Sequence, residues 1–241
     1  VPPITDQGLC IRVWDWSETS QTVSVFGRQT GVIRAVAKGA KREHAQFSGG
    51  LEVMTRGEFI ASIKNTENMA LLTAWDLQET YPAARASLSA FYAGMTMLDL
   101  VHHAVKDHDP HPAVFDALLA SLRELGGVDR DRWALLRFLW TVLVETGHQP
   151  EVFHDAAGGE LASARSYAFS SRLGGLTKDT HQGDGVWRVR AETVELLRGL
   201  AAGAGEGDRA AVERATKLLA LYFREVFACE LPSMRQALAR E

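Results

Sequence analysis

The sequence predicts an α+β protein, with a small closed β-sheet over residues 1–79 and a helical region over residues 80–241. Three observations carry this reading. Apolar residues recur at period two in the first third of the chain, glycine-bearing turns separate the runs, and beyond residue 80 the spacing becomes three and four. Five or six short strands in so little chain suit a partly open five-stranded barrel, a common single-strand binding architecture.

Taken in order, Leu9, Ile11 and Val13 alternate with Cys10, Arg12 and Trp14. If the aliphatic set points inward, Arg12 and Trp14 point outward. Residues 17–21 (SETSQ) read as a turn, and strands over 22–26 and 32–38 flank a glycine turn at 27–31. Residues 51–64 carry two further apolar runs around Arg56 and Gly57, and 69–75 closes the set.

The helical half begins at Pro82, a residue tolerated in a first turn. A helix is expected over 83–105, with Leu88, Phe91, Tyr92, Met95, Leu98 and Val101 on its apolar face. Another follows over 113–125, through Phe115, Leu118, Leu119 and Leu122. The span 130–146 is apolar through Trp133, Leu136, Leu139, Trp140 and Leu143, and Gly147 is its expected stop. A short helix over 192–202 precedes a long one that Asp208 caps and that runs to Phe227.

Composition narrows the function classes. The chain has 241 residues, a net charge of −4, 46% apolar and 23% charged residues. That balance excludes a wholly cationic binder, so any nucleic-acid contact must come from a local patch. No apolar run approaches the roughly 20 residues that cross a bilayer. The opening VPPITDQG has neither a basic leader nor an apolar signal segment, and a cytoplasmic location is expected. Only Cys10 and Cys229 occur; a bridge between them is possible in principle, but so few cysteines suit a reducing compartment.

The most informative stretch is 31–51, GVIRAVAKGAKREHAQFSGGL. It opens as a strand and then presents Arg34, Lys38, Lys41 and Arg42 around a glycine, with no acid before Glu43. Each cation can neutralise a phosphate and release its counterion. Nearby, Trp14, Trp16 and Phe26 lie in the strand region. Trp14, sharing the outward face with Arg12, is the best candidate to stack on a base, and Arg28 extends the basic surface. The long C-terminal helix adds Arg209, Arg214, Lys217 and Arg224, with Arg235 and Arg240 beyond Pro232. Arg214, Lys217 and Arg224 form a candidate basic stripe, or else an ordinary solvated face diluted by Glu213, Glu225 and Glu230.

Catalytic signals are missing. No GxxxxGK loop, dinucleotide fingerprint or GxSxG elbow occurs, so a non-enzymatic binder without a cofactor is expected. His102, His103, Asp107, His108, Asp109 and His111 include metal-ligand types. However, adjacent His102 and His103 cannot face one metal from a helix, and Pro110 and Pro112 end the helix there. A cationic helix terminus is the plainer reading, and no metal site is expected.

The order of segments resembles the RecO family of bacterial DNA repair proteins, the recombination mediators. The resemblance runs through RVWDWSETSQTVSVF, GVIRAVAKGAKR, FSGGLEVMTRGEF, AWDLQETYP, DPHPAVFDALLASL, the Trp- and Leu-rich helix ending ETGHQPE, and RATKLLALYFREVFACELPSMR. It implies an N-terminal OB-fold and a helical remainder. It further implies ATP-independent binding of single- and double-stranded DNA, annealing of complementary strands, and help in loading the recombinase. RecR and single-strand-binding protein are the implied partners, and the nucleoid the implied surroundings. Carried onto this chain, the DNA-contacting strand and loop correspond to Arg34, Lys38, Lys41 and Arg42.

Many members of that family carry a four-cysteine zinc module after the Trp-rich helix. Here its place falls in residues 148–190, with His154 and Ala157 at one pair of ligand positions and Lys178 and His181 at the other. This set cannot close a tetrahedral site, so no structural zinc is expected. Packing around Phe153, Tyr167, Phe169 and Trp187 should hold the segment instead; His154 and His181 with Asp155 or Asp179 are the residual metal candidates. Two other functions compete with the mediator reading. One is a protein-interaction module that takes the acidic, apolar tail of single-strand-binding protein in a helical groove. The other is a metal-dependent phosphohydrolase built on His102–His111.

Overall fold

A computed structural model describes residues 2–42, 46–47, 51–64, 69–178, 185–204 and 207–238. Its first third is a closed barrel of β1 (Ile4–Asp15), β2 (Gln21–Gly27), β3 (Gly31–Ala37), β4 (Thr55–Ser62) and β5 (Ala70–Glu79). The strand order β1-β2-β3-β5-β4, with only the β3–β5 pair parallel, is that of an OB-fold. Cys10, Val23, Val25, Ile33, Phe59, Leu72 and Trp75 fill the barrel. Burial there pushes the Cys10 thiol up to about 12.

The face assignment of β1 differs from the simple alternation. Leu9 and Ile11 point out of the barrel, into the core shared with the helices, while Cys10 points in. A bulge between Cys10 and Arg12 then resets the pleat, so Val13 packs against the barrel interior. One extra residue therefore separates two registers that a period-two reading merges. Arg12 and Trp14 do lie on the outer face.

The helical half comprises α1 (Pro82–Arg85), α2 (Leu88–Ala104), α3 (Pro112–Glu124), α4 (Val128–Glu145), α5 (Ala191–Ala201), α6 (Arg209–Phe227) and α7 (Pro232–Ala237). The helix expected over 83–105 is broken after its first turn. Ser87 starts a new helix by accepting a hydrogen bond from the Ala90 N–H at 3.2 Å. Gly147 stops α4 at φ 78°, and Asp208 caps α6 by accepting from the Ala211 N–H at 2.6 Å. Between α4 and α5 lies a three-stranded sheet, β7 (Gly175–Thr177), β6 (Ser166–Ser170) and β8 (Val186–Arg190). This region is more regular than the irregular insertion the sequence predicts. Phe169 stacks on Trp187 at 6.1 Å and meets Tyr222 edge-on, whereas Phe153 stays half-exposed under Arg198.

Barrel and helices share one core. Leu9, Ile11, Phe26, Val32 and Met54 join the residues of α2, α3 and α4 in a continuous apolar cluster. Phe26 meets Phe115 edge to face at 5.5 Å. The β2–β3 turn closes on the α2–α3 connection, where the His108 N–H donates to the Val32 carbonyl at 3.0 Å. Gly31, at φ 69°, permits this approach; a Cβ there would lie 2.5 Å from the Asp109 backbone. Among the described residues, no helix is long and apolar enough to cross a membrane.

Candidate nucleic-acid interface

Strand register lays three rows across the outer face of β1, β2 and β3. The first, Leu9–Phe26–Val32, is buried against the helices. The second is Arg12–Ser24–Arg34, and the third is Trp14–Thr22–Val36. Lys38 continues the β3 face by one more period-two step and is exposed. The surface thus grades from apolar contact, through ion pairs, to open solvent.

The second row is largely committed to the helical half. Arg12 forms a 2.5 Å ion pair with Asp99 of α2, which is 1% exposed. Arg34 pairs with Asp107 at 3.1 Å but remains 61% exposed, so its guanidinium still faces solvent. Arg28, at the far end of β2, makes two hydrogen bonds to Asp116 of α3, at 2.9 and 2.8 Å. The Arg28 hydrogen bond holds the Asp116 carboxyl below its ordinary value.

At the open end, the β1–β2 tip and the β3–β4 connection are tied together. Trp16 and Ser17 donate through their N–H groups to the Ser20 carbonyl at 3.0 and 3.1 Å, which closes the tip. The Ser20 hydroxyl accepts from the Gly39 N–H at 3.1 Å, and the Thr19 carbonyl accepts from the Lys41 N–H at 3.1 Å. Lys41 Nζ reaches Asp15 at 2.6 Å. Gly39, at φ 69°, lets the chain reverse so that the Arg42 N–H donates to the Gly39 carbonyl at 3.0 Å. The result is one platform bearing Trp14, Trp16, Lys38, Lys41 and Arg42. Lys38 and Arg42 are exposed and form no ion pair with another described residue. Cations of this kind can neutralise phosphates, and exposed indoles can stack on bases.

The residues expected on the long C-terminal helix do not make one stripe. Arg214 turns toward α5 and donates to the Thr193 hydroxyl at 3.1 Å. Lys217 pairs with Glu213 at 2.6 Å, and Arg224 pairs with Glu230. Lys217 and Arg224, together with Arg235, instead rim a groove of about 390 Å³ between α6 and α7, floored by Leu221, Leu231 and Met234. Arg240 lies outside the described residues.

His102 and His103 sit edge to face at 5.1 Å on α2, the first half-buried and the second exposed. Burial lowers both imidazole pKa values, with Arg12 adding to the effect. Among the described residues, no three His, Cys, Asp or Glu side chains could hold a metal together. His154 faces Glu151 at 3.6 Å; His181 and Asp179 lie outside the described residues. Within the 148–190 segment, the Asp155 carboxylate joins two turns. It accepts from the Ala157 N–H at 2.9 Å and from the Lys178 N–H at 3.2 Å. The first of these bonds, aided by the second, holds its pKa below the ordinary value.

Sequence reasoning missed Asp155 as a staple and ranked Trp16 below Trp14, although both indoles are exposed at the tip. The signal for Trp16 was present: Arg12, Trp14 and Trp16 continue a single period-two series.

The strand order and the shared core define an OB-barrel protein with a helical C-terminal region. The family model described as "Recombination protein O N terminal" matches residues 2–81, and "Recombination protein O C terminal" matches residues 85–235. The chain belongs to this RecO family. It is similar to a protein named DNA repair protein RecO from Rhodopirellula baltica, 30% identical over 168 residues, which are 69% of this chain and 62% of that relative. The protein of the same name from Cutibacterium acnes is 27% identical over 210 residues, 84% of each chain. That from Idiomarina loihiensis is 25% identical over 166 residues, 69% of this chain and 70% of the relative.

Proposed function

We propose that this chain acts in recombinational DNA repair as a non-enzymatic mediator that binds DNA through the barrel platform. It binds single- and double-stranded DNA, anneals complementary strands and helps load the recombinase, with RecR and single-strand-binding protein as partners. One observation carries the reading: Lys38, Lys41 and Arg42 stand beside exposed indoles at one end of an OB-barrel. Annealing follows from the same chemistry, because cations on one surface screen the repulsion between two phosphate chains. Membership of the RecO family supports the reading.

Salt titration with labelled single strands tests it. Three to four neutralised phosphates give a slope of log affinity against log salt of about −2 to −3. The K38A/K41A/R42A variant should bind DNA of any sequence more weakly and show a flatter slope, with unchanged folding. Equal affinity in that variant removes the site.

The groove between α6 and α7 favours a second, compatible role. Its apolar floor, with Arg235 on the rim beside the Lys217–Glu213 and Arg224–Glu230 ion pairs, suits an apolar peptide whose carboxylates exchange into those pairs, such as the tail of single-strand-binding protein. If the platform and the groove are separate sites, tail peptide binds without displacing DNA, and L221D (Leu221→Asp) abolishes peptide binding alone.

A further inference from the structure

We propose that Trp14 and Trp16 form a base-stacking pair that makes the platform select unpaired strands over duplex; this rests on the DNA-binding reading above. Large aromatic side chains of the barrel are otherwise enclosed: Phe26 and Phe59 are 0% exposed and Trp75 1%. Trp14 and Trp16 are 50% and 66% exposed, on one hairpin tip. Leaving two indoles in water forgoes substantial apolar burial, and their neighbours do not cover them. Across the strand from Trp14 stands Thr22, too short to shield the ring.

The tip is held rather than loose. Its own hydrogen bonds close on Ser20, and Ser20, Thr19 and Asp15 anchor it to residues 39–41. The backbone that carries the indoles is therefore held beside Lys38, Lys41 and Arg42. Charge beside the rings names the occupant: a polyanion with flat apolar groups at regular intervals. A single strand exposes its bases to such a surface. A duplex hides them in its stack and offers only phosphates, so it can engage the cations and not the rings. Selectivity then belongs to the tryptophans and general affinity to the cations.

Fluorescence anisotropy separates the two contributions. The probes are a labelled single strand, a hairpin duplex with the same number of phosphates, and an abasic strand of the same length. The proteins are the full chain, W14A/W16A, W14F/W16F and K38A/K41A/R42A. Alanine at both tryptophans should weaken single-strand binding by about 10- to 100-fold, from the per-base stacking strength. Duplex and abasic-strand affinity should stay within about twofold of the parent, and the salt slope should not change. Phenylalanine at both positions should restore most of the lost affinity, since it keeps a stacking face. The triple cation variant should lose all three probes together.

The outcomes are distinct. If W14A/W16A keeps the parent's preference, or loses single strand and duplex equally, the stacking proposal is overturned, and the indoles are left to a protein partner. If the triple cation variant binds every probe as the parent does, the platform reading falls. If the parent binds no probe, both fall.

Discussion

Asp155 joins two turns of the 148–190 segment without a metal ligand among its described contacts. Its acceptor bonds to Ala157 and Lys178 stitch the turns directly. A carboxylate whose folded pKa lies below its ordinary 3.8 adds stability that is complete above 3.8 and lost as pH falls through the lower folded value. Asp155→Asn should therefore lower Tm at neutral pH, and the deficit should shrink in acid as the parent loses the same charge. Differential scanning calorimetry at several pH values reads this; identical melting of the two proteins at neutral pH would remove the staple. Asp99 is a second charge decided by its surroundings. It is almost fully buried, and Arg12 is its paired cation. Arg12→Ala should destabilise the protein by about 3 kcal/mol in urea titration, because it strands a buried carboxylate. With its guanidinium already engaged, DNA affinity should fall far less than in the Lys38, Lys41 and Arg42 variant.

At the scale of elements, the closure of β2–β3 against the α2–α3 connection depends on one backbone conformation. Gly31→Ala places a methyl 2.5 Å from the Asp109 backbone at a positive φ, so we expect a loss of about 2 kcal/mol or more by chemical denaturation. A smaller loss would mean that the connection yields. The α2 terminus carries a pH signature as well. His102 and His103 have folded pKa values below 6.5, so the unfolded chain binds protons more readily between the two values. Stability is full above about 6.5 and declines as pH falls toward the folded values, and replacing both by Gln should flatten that decline in Tm-against-pH curves. Much of this element structure was legible in the sequence. The caps at Gly147 and Asp208 declare themselves by residue type, and the strands around the 27–31 turn by period. The β1 bulge was not legible, because an inserted residue leaves Leu9, Ile11 and Val13 in apparent alternation. Nor was the break at Ser87, which falls just before the apolar series that begins at Leu88.

Over the whole molecule, one apolar cluster runs from Leu9 and Phe26 through α2, α3 and α4. Barrel and helices should therefore unfold together. Tryptophan fluorescence and far-UV circular dichroism, followed through the same urea titration, should give coincident transitions. Two separated midpoints would show that the barrel is stable without the helices. Periodicity, turn residues and the sign of local charge act between near neighbours, and these determined the succession of a barrel and a helical region and singled out the 34–42 cations. Which cations stay available was decided only in three dimensions. Asp99, Asp107 and Asp116 lie 73 to 88 positions along the chain from Arg12, Arg34 and Arg28, and only folding brings each pair within hydrogen-bonding reach. Coulomb attraction acts on distance in space, so the same basic residues become struts where the helices cover the sheet and open contacts where they do not.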